Sequence, residues 1–221
     1  MELYSFFRSS AAYRVRIGLN LKRIPYKTHP VNLTKNGGEN RKLTYLVVNP
    51  QGKVPALALD DGRVLLQSMA ILEYLDETVP DPPFLPRDPF ERAQVRSVAN
   101  IIACDIHPLN NLAVQNRIRA EFGADEAGLE RWCQHWIAEG FRAIESLIEG
   151  EVYCFGDQPT LADILLIPQV FNARRVKADL SPFPKIVAVD KRTRELDAFA
   201  KAHPMVQPDT PPELASPRPK V

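Results

Sequence analysis

Val54-Pro55-Ala56-Leu57-Ala58-Leu59-Asp60-Asp61-Gly62-Arg63-Val64-Leu65-Leu66-Gln67-Ser68 decides how the first part of the chain folds. Two short apolar runs flank Asp60-Asp61-Gly62, and strand formers on either side of turn formers specify a β-hairpin. Ser68 then opens a stretch with Ile71, Leu72 and Leu75 at helical spacing, so a helix follows the hairpin. Toward the N-terminus, residues 2–6 read as a strand and residues 26–33 as another. Between them, residues 9–21 carry Ala12, Val15, Ile17, Leu19 and Leu21 with Arg14, Arg16 and Lys22 interposed, and form a helix with Ser9 or Ser10 near its N-cap. The order is β-α-β followed by β-β-α.

Toward the C-terminus, the proline-dense Val79-Pro80-Asp81-Pro82-Pro83-Phe84-Leu85-Pro86 reads as a linker. Strand signals then fade. Residues 92–112, 127–147, 161–176 and 186–202 all suit helices. In Thr160-Leu161-Ala162-Asp163 the threonine can cap the amide at the third helical position, while the acid sits by the positive helix end. A second proline-dense run, from Pro204 to Pro219, reads as a poorly ordered tail. The expected fold class is α/β plus all-α: a mixed domain over 1–80, a linker over 81–90, a helical bundle over 91–208 and a tail over 209–221.

With 221 residues the chain is long enough for a sizeable core in each domain. Hydrophobic residues at 45% and charged residues at 25% are ordinary for a globular protein, and a formal net charge of +1 without a basic stripe argues against a nucleic-acid partner. Nowhere do 18 consecutive apolar residues occur, and Met1 to Ile17 lacks a basic region followed by an apolar run, so neither a membrane span nor a secretory signal is expected. Cys104, Cys133 and Cys154 are odd in number and widely spaced, which fits a reducing cytoplasm and core packing better than a disulfide framework or zinc site. His29, His135 and His203 form no usable metal-ligand spacing, so no metal is expected.

Several segments together resemble the cytosolic glutathione transferases over nearly the whole chain. Val54-Pro55 opens the hairpin where that family has a cis-proline, Gln67-Ser68 starts the next helix, and Gly156-Asp157-Gln158-Pro159-Thr160-Leu161-Ala162-Asp163 is similar to the folding signature of its helical domain. Arg8-Ser9-Ser10-Ala11-Ala12-Tyr13-Arg14-Val15-Arg16-Ile17 narrows the resemblance to the zeta class, and Asn49-Pro50, Pro168-Gln169-Val170, Asn172-Ala173 and Gln207-Pro208-Asp209-Thr210 add to it. The class has a cysteine where this chain has Ala11 and a tryptophan where it has Tyr13. The resemblance implies a thioredoxin-like N-terminal domain, a C-terminal helical bundle, glutathione as cofactor and a cytoplasmic homodimer. It also implies cis-trans isomerisation of a small dicarboxylic keto acid, maleylacetoacetate or, nearly as well, maleylpyruvate. A general glutathione transferase or dehalogenase, and a non-catalytic scaffold, are the alternatives.

Isomerising a carbon–carbon double bond requires its temporary loss, which a thiolate provides by adding and leaving again. A helix start favours such an anion. Ser9 and Ser10 sit at one, with the amides of Ala11 and Ala12 completing an anion pocket; as capping residues alone they would need no ligand. Val54, before Pro55, is suited to pair its backbone with the cysteinyl part of the tripeptide, although an edge-strand proline has the same appearance. Gln67 and Ser68 are candidates for the γ-glutamyl carboxylate, and Lys53 and Asn40 for contacts to the peptide's ends. By resemblance, His107, Asn111 and Ala113 also contact glutathione; a kinked helix with a satisfied histidine is the plainer reading. Arginine suits a substrate carboxylate through its two-pronged fork. Arg8 lies beside the sulfur site, and Arg175 matches a class arginine of the helical domain. Arg174 is expected in solvent, and Arg14 and Arg16 on the helix surface or in structural ion pairs.

Overall fold

The computed structural model describes residues 1–216 and builds the hairpin from β3 (Ala56–Ala58) and β4 (Val64–Leu66), with Ala56 opposite Leu66. On the other side of β3 lies β1 (Glu2–Ser5), antiparallel to it, and β2 (Lys27–Pro30) runs parallel to β1, so the sheet order is β2-β1-β3-β4. α1 (Ser10–Leu21) makes the crossover that parallel β1 and β2 require, and α3 (Ser68–Thr78) follows β4. The strand expected over 26–33 is shorter. It pairs with β1 alone, and its last residue, Pro30, has no amide to extend the ladder.

Between β2 and β3 the sequence showed no element. The structure has two 3-10 turns, Lys35–Gly37 and Glu39–Arg41, and a one-turn helix, α2 (Leu43–Leu46). Side chains shape this stretch more than periodicity does. Asn32 Oδ1 accepts the amides of Thr34 and Lys35 at 2.9 and 2.8 Å. Buried Asn49 accepts the amide of Gln51 and donates Nδ2 to the Lys53 carbonyl at 2.6 Å, which also accepts the Tyr45 hydroxyl at 2.6 Å. Burial pushes the Tyr45 phenol up to about 12.

The chain divides into two compact units, and the division differs from the expected one. The first unit is Met1–Pro83 together with the chain from Glu195 onward; the second is Phe84–Arg194. α9 (Asp197–Ala202) packs on α1, as α3 does. Enclosed in this way, α1 buries both its arginines, Arg14 at 2% and Arg16 at 0% exposure, so their expected surface position is corrected. Arg16 donates Nε to Ala202 O (2.9 Å), Nη1 to Ser5 Oγ (3.0 Å) and Nη2 to Phe7 O (3.0 Å). Burial lowers its pKa to about 10, still well above neutrality.

The tail expected to be poorly ordered is instead fastened through its side chains. Gln207 Nε2 donates to the carbonyls of Lys201 and His203, Thr210 Oγ1 to Pro204 O at 2.6 Å, and Asp209 Oδ2 accepts the Phe7 amide at 2.8 Å. Proline here sets 3-10 turns at Pro204–Val206 and Pro212–Leu214. The rest of the expected tail, 217–221, lies outside the described residues.

In the second unit α4 (Pro89–Asn100) begins earlier than expected, because Asp88 caps the amides of Phe90 and Glu91 with Pro89 at the first helical position. Part of the expected linker belongs to this unit: Phe84 and Leu85 are buried, and Phe84 O accepts the Leu161 amide at 2.8 Å. The helix expected over 92–112 gives way to a π-helical turn, Ile101–Ile106, and a helix absent from the sequence reading, α5 (Leu112–Phe122), follows. α6 (Glu126–Leu147) and α7 (Leu161–Arg175) fall where expected. The helix expected over 186–202 is two: α8 (Pro184–Thr193), whose Thr193 hydroxyl bonds back to Asp190 O, and α9. Thr160 and Asp163 form the capping box of α7. The fully buried Asp163 carboxylate accepts the amides of Cys154 (2.8 Å) and Thr160 (2.7 Å) and the Thr160 hydroxyl (2.9 Å). Cys133 and Cys154 are buried as expected, but Cys104 is exposed on the π-turn. Among the described residues no helix is long and apolar enough to cross a membrane.

Candidate functional site

Sheet topology gathers the first unit's candidates at one end. Tyr4, near the end of β1, lies opposite Ala56 at the start of β3, and Ala56 lies opposite Leu66 at the end of β4. The connections to Ser9, from Val54 and to Gln67-Ser68 therefore all occur at the same edge of the sheet. The loop carrying Asn40 and Lys53 leaves from that end too, since Pro30 pairs with Ser5. Phe6, Phe7, Val31, Tyr45 and Val54 form one buried cluster beneath these loops and tie their positions together.

Ser9 is the N-cap of α1, with extended backbone and its Oγ accepting the Ala12 amide at 3.2 Å. The hydroxyl is used there only as an acceptor, so its proton remains available to an anion. The first helical amide bond runs from Tyr13 to Ser9 O. Of the expected anion donors, Ala12 is thus engaged by the cap. The amides of Ser10 and Ala11 bond no carbonyl among the described residues. Arg8 is exposed, its guanidinium 6.0 Å from the Phe7 ring. Tyr13, in the place of the class tryptophan, is buried against His203 and lies beneath the Arg16 guanidinium, 5.3 Å from it. It fills core space.

Val54 is buried and precedes Pro55 through a cis peptide. Its amide and carbonyl make no backbone hydrogen bond among the described residues, which leaves both open to an extended peptide. Ser68 begins α3, is 6% exposed, and its Oγ accepts Arg14 Nη1 at 3.3 Å. Sequence reasoning missed this use of Arg14; the signal lay in two arginines at alternate positions on a helix that is otherwise apolar. Gln67 has a positive φ of 69°, is exposed, and donates Nε2 to Gln51 Oε1 at 2.7 Å. The Lys53 side chain is exposed. Asn40 turns inward and donates to Gly52 O at 2.6 Å, so it shapes the loop; the close approach leaves a Cβ on Gly52 only 3.0 Å from the Asn40 carbonyl oxygen.

The remaining candidates lie on the second unit. His107 closes the π-turn, its amide bonding Ile102 O at 2.9 Å. Asn111 caps α5 by accepting the Ala113 amide at 2.9 Å, so both residues have a structural use at that helix start. Arg175 is exposed at the end of α7, donates Nη2 to Asn172 Oδ1 at 2.8 Å, and borders a groove of about 340 Å³ with Gln115, Leu129, Glu130 and Cys133. Burial raises the Cys133 thiol, and the charge of Arg175 opposes that shift. Arg174 is not simply solvated as expected: it meets the buried Asp190 carboxylate at 2.7 Å, together with Arg194 at 2.6 Å.

Comparison with known proteins identifies the family. Residues 8–78 match the model of the glutathione S-transferase N-terminal domain, and residues 126–206 that of the C-terminal domain. A maleylacetoacetate isomerase of Pseudomonas aeruginosa is 48% identical over 96% of this chain and 99% of its own. The solved holo structure of a bacterial zeta-class maleyl pyruvate isomerase is also 48% identical, covers 96% of this chain and 100% of its own, and superposes with a TM-score of 0.93. A maleylacetoacetate isomerase of Methylobacterium extorquens, solved with bound malonate and glutathione, is 36% identical over 96% of this chain and 100% of its own, with a TM-score of 0.90. The chain belongs to the glutathione S-transferase family, in the group that holds the maleylacetoacetate and maleylpyruvate isomerases.

Proposed function

We propose that this chain is a glutathione-dependent cis-trans isomerase of a maleyl keto acid, with maleylacetoacetate as substrate. The observation that carries this is the convergence, at one end of one sheet, of an N-cap hydroxyl with a free proton, two open helix amides and an unpaired extended backbone at Val54. Those groups fit a tripeptide with an ionised sulfur. Bound glutathione supplies a thiolate that adds to the double bond next to the keto group, allows rotation about the resulting single bond, and departs unchanged. The Ser9 hydroxyl donates to the sulfur, and the amides of Ser10 and Ala11 with the positive end of α1 hold its charge. Val54 pairs with the cysteinyl backbone. Ser68, oriented by Arg14, and Gln67 hold the γ-glutamyl carboxylate, and Lys53 the other end. Asn40 acts through the loop it fixes. Arg8 receives a substrate carboxylate, and Arg175, exposed on its own groove, is a second carboxylate ligand. His107, Asn111 and Ala113 keep their assignment to glutathione by family resemblance.

Ala11 puts methyl where the class carries a thiol. Isomerisation through the sulfur of glutathione does not need that thiol, whereas a transferase that used it would. Maleylpyruvate is the second reading, favoured by the same 48% identity to an isomerase of that substrate. A cytoplasmic homodimer goes with the proposal and is checked by sedimentation. The decisive assay follows the absorbance of each cis keto acid with and without glutathione. Loss of the cis acid that needs glutathione but leaves its amount unchanged is expected; stoichiometric thiol consumption would mean conjugation, and no change would mean a scaffold. Replacing Arg175 with alanine is expected to raise KM for the keto acid about 10-fold or more while leaving that for glutathione within about 2-fold. Equal effects on both would remove Arg175 from the substrate.

A further inference from the structure

The peptide of Phe7, two residues before the thiolate-binding Ser9, is gripped on both sides by groups distant in sequence. Its carbonyl accepts Arg16 Nη2 at 3.0 Å, and its amide donates to Asp209 Oδ2 at 2.8 Å across 202 residues. Arg16 is fully buried and also bonds Ala202 O, at the end of the helix that leads into the Asp209 segment. That segment is itself locked by Gln207 on the carbonyls of Lys201 and His203 and by Thr210 on Pro204 O. Apart from Arg16 Nη1, which bonds Ser5 Oγ, the contacts of this arrangement are made to backbone groups, and the turn it fixes runs straight into Arg8 and the cap of α1.

We propose that Asp209 and Arg16 are positioning residues for the reaction: together they clamp the Phe7 peptide and thereby aim the Ser9 hydroxyl and the first amides of α1 at the glutathione sulfur. The proposal rests on the isomerase reading given above and goes beyond it by making the C-terminal segment part of the sulfur site. The hydrogen bond to the Phe7 amide, rather than the negative charge, is the operative contact, because a negative charge near the pocket would by itself oppose thiolate formation. Asp209→Asn keeps an acceptor oxygen for that amide and Asp209→Ala does not.

The test measures the pKa of enzyme-bound glutathione by the ultraviolet absorbance of its thiolate, and kcat/KM for the keto acid, per folded enzyme. Asp209→Ala is expected to raise the bound thiol's pKa by about one unit and lower kcat/KM about 10- to 100-fold, the range for losing a group that orients a reacting one. Asp209→Asn is expected to recover both to within about 3-fold of wild type. Wild-type values in Asp209→Ala, or an Asp209→Asn as impaired as Asp209→Ala, overturn the proposal. If Asp209→Ala does not fold, Thr210→Val, which loosens the same segment, is measured in its place, and a thiol pKa unchanged from wild type overturns the proposal equally. Glutathione ionisation is read without the keto acid. A wild-type enzyme that ionises glutathione but isomerises nothing refutes the isomerase reading and leaves the clamp to be judged on the thiol's pKa.

Discussion

Replacing Ser9 with alanine is expected to lower kcat/KM about 100- to 1,000-fold, the loss seen when one preorganised donor to a developing or bound anion is removed. The same change deletes the cap on Ala12 and costs about 1 kcal/mol of stability. The two effects separate in a second variant. Ser9→Asp still accepts the Ala12 amide and still caps α1, yet it offers no proton to the sulfur and places a charge against it. Its thermal midpoint is expected to stay near that of wild type while its activity falls at least as far as in Ser9→Ala. If Ser9→Asp were active, the serine would be a cap and nothing more. Thiolate absorbance on adding glutathione gives the same comparison without turnover.

The largest expected loss of stability is at Asp163. Its carboxylate accepts three bonds at zero exposure, two of them from the amides of Cys154 and Thr160. Asp163→Ala leaves both amides buried without partners and removes the acidic half of the α7 capping box, a cost of about 3–5 kcal/mol. For a chain of this length that lowers the thermal midpoint by about 10 °C, measured by scanning calorimetry. The pH dependence has a definite sign. Burial raises the Asp163 pKa above the ordinary carboxylate value, its accepted hydrogen bonds opposing the shift. A group whose folded pKa is raised contributes stability fully present below the unfolded value and lost as pH rises through the folded one. The deficit of Asp163→Asn relative to wild type, from urea melts, is therefore expected to narrow as pH climbs from the unfolded pKa of Asp163 through its raised folded one. A deficit that widens would contradict the direction of the shift.

How much of this was legible beforehand depended on whether a feature lives in local pattern or in contacts distant along the chain. The hairpin, α1, α6 and α7 were readable because turn chemistry, a serine cap or a long apolar period specifies each. The stretch from 31 to 53 was not, since α2 is one turn long and the loop takes its shape from Asn32, Asn40 and Asn49 bonding to backbone. The break at Ile101–Ile106 was hidden because an extra residue in a helical turn leaves apolar spacing nearly intact. The buried setting of Arg14 and Arg16 depends on α9, which meets α1 only through the fold, and the proline-rich end looked loose because proline composition says nothing of Gln207, Asp209 and Thr210. At the site, Ser9, Val54 and Ser68 were put forward from motif and helix-start chemistry, and their local settings, a cap, an unpaired extended backbone and a helix start, are features that sequence can carry. The bond from Asn40 to Gly52 O was not legible, because an amide that faces a ligand and one that ties a loop look alike in sequence.

The first unit is discontinuous, and this bears on how the protein is made. During synthesis the strands and α1 emerge from the ribosome long before their closing piece. The acceptor for Arg16 at Ala202 arrives 186 residues later, and that for the Phe7 amide 202 residues later. Phe84–Arg194 is contiguous and can finish folding while the nascent N-terminal segment still waits, reversing the usual N-to-C order. A fragment ending at Pro83 would hold a buried guanidinium short of a partner, so the N-terminal half is a poor unit to express, transplant or fuse by itself.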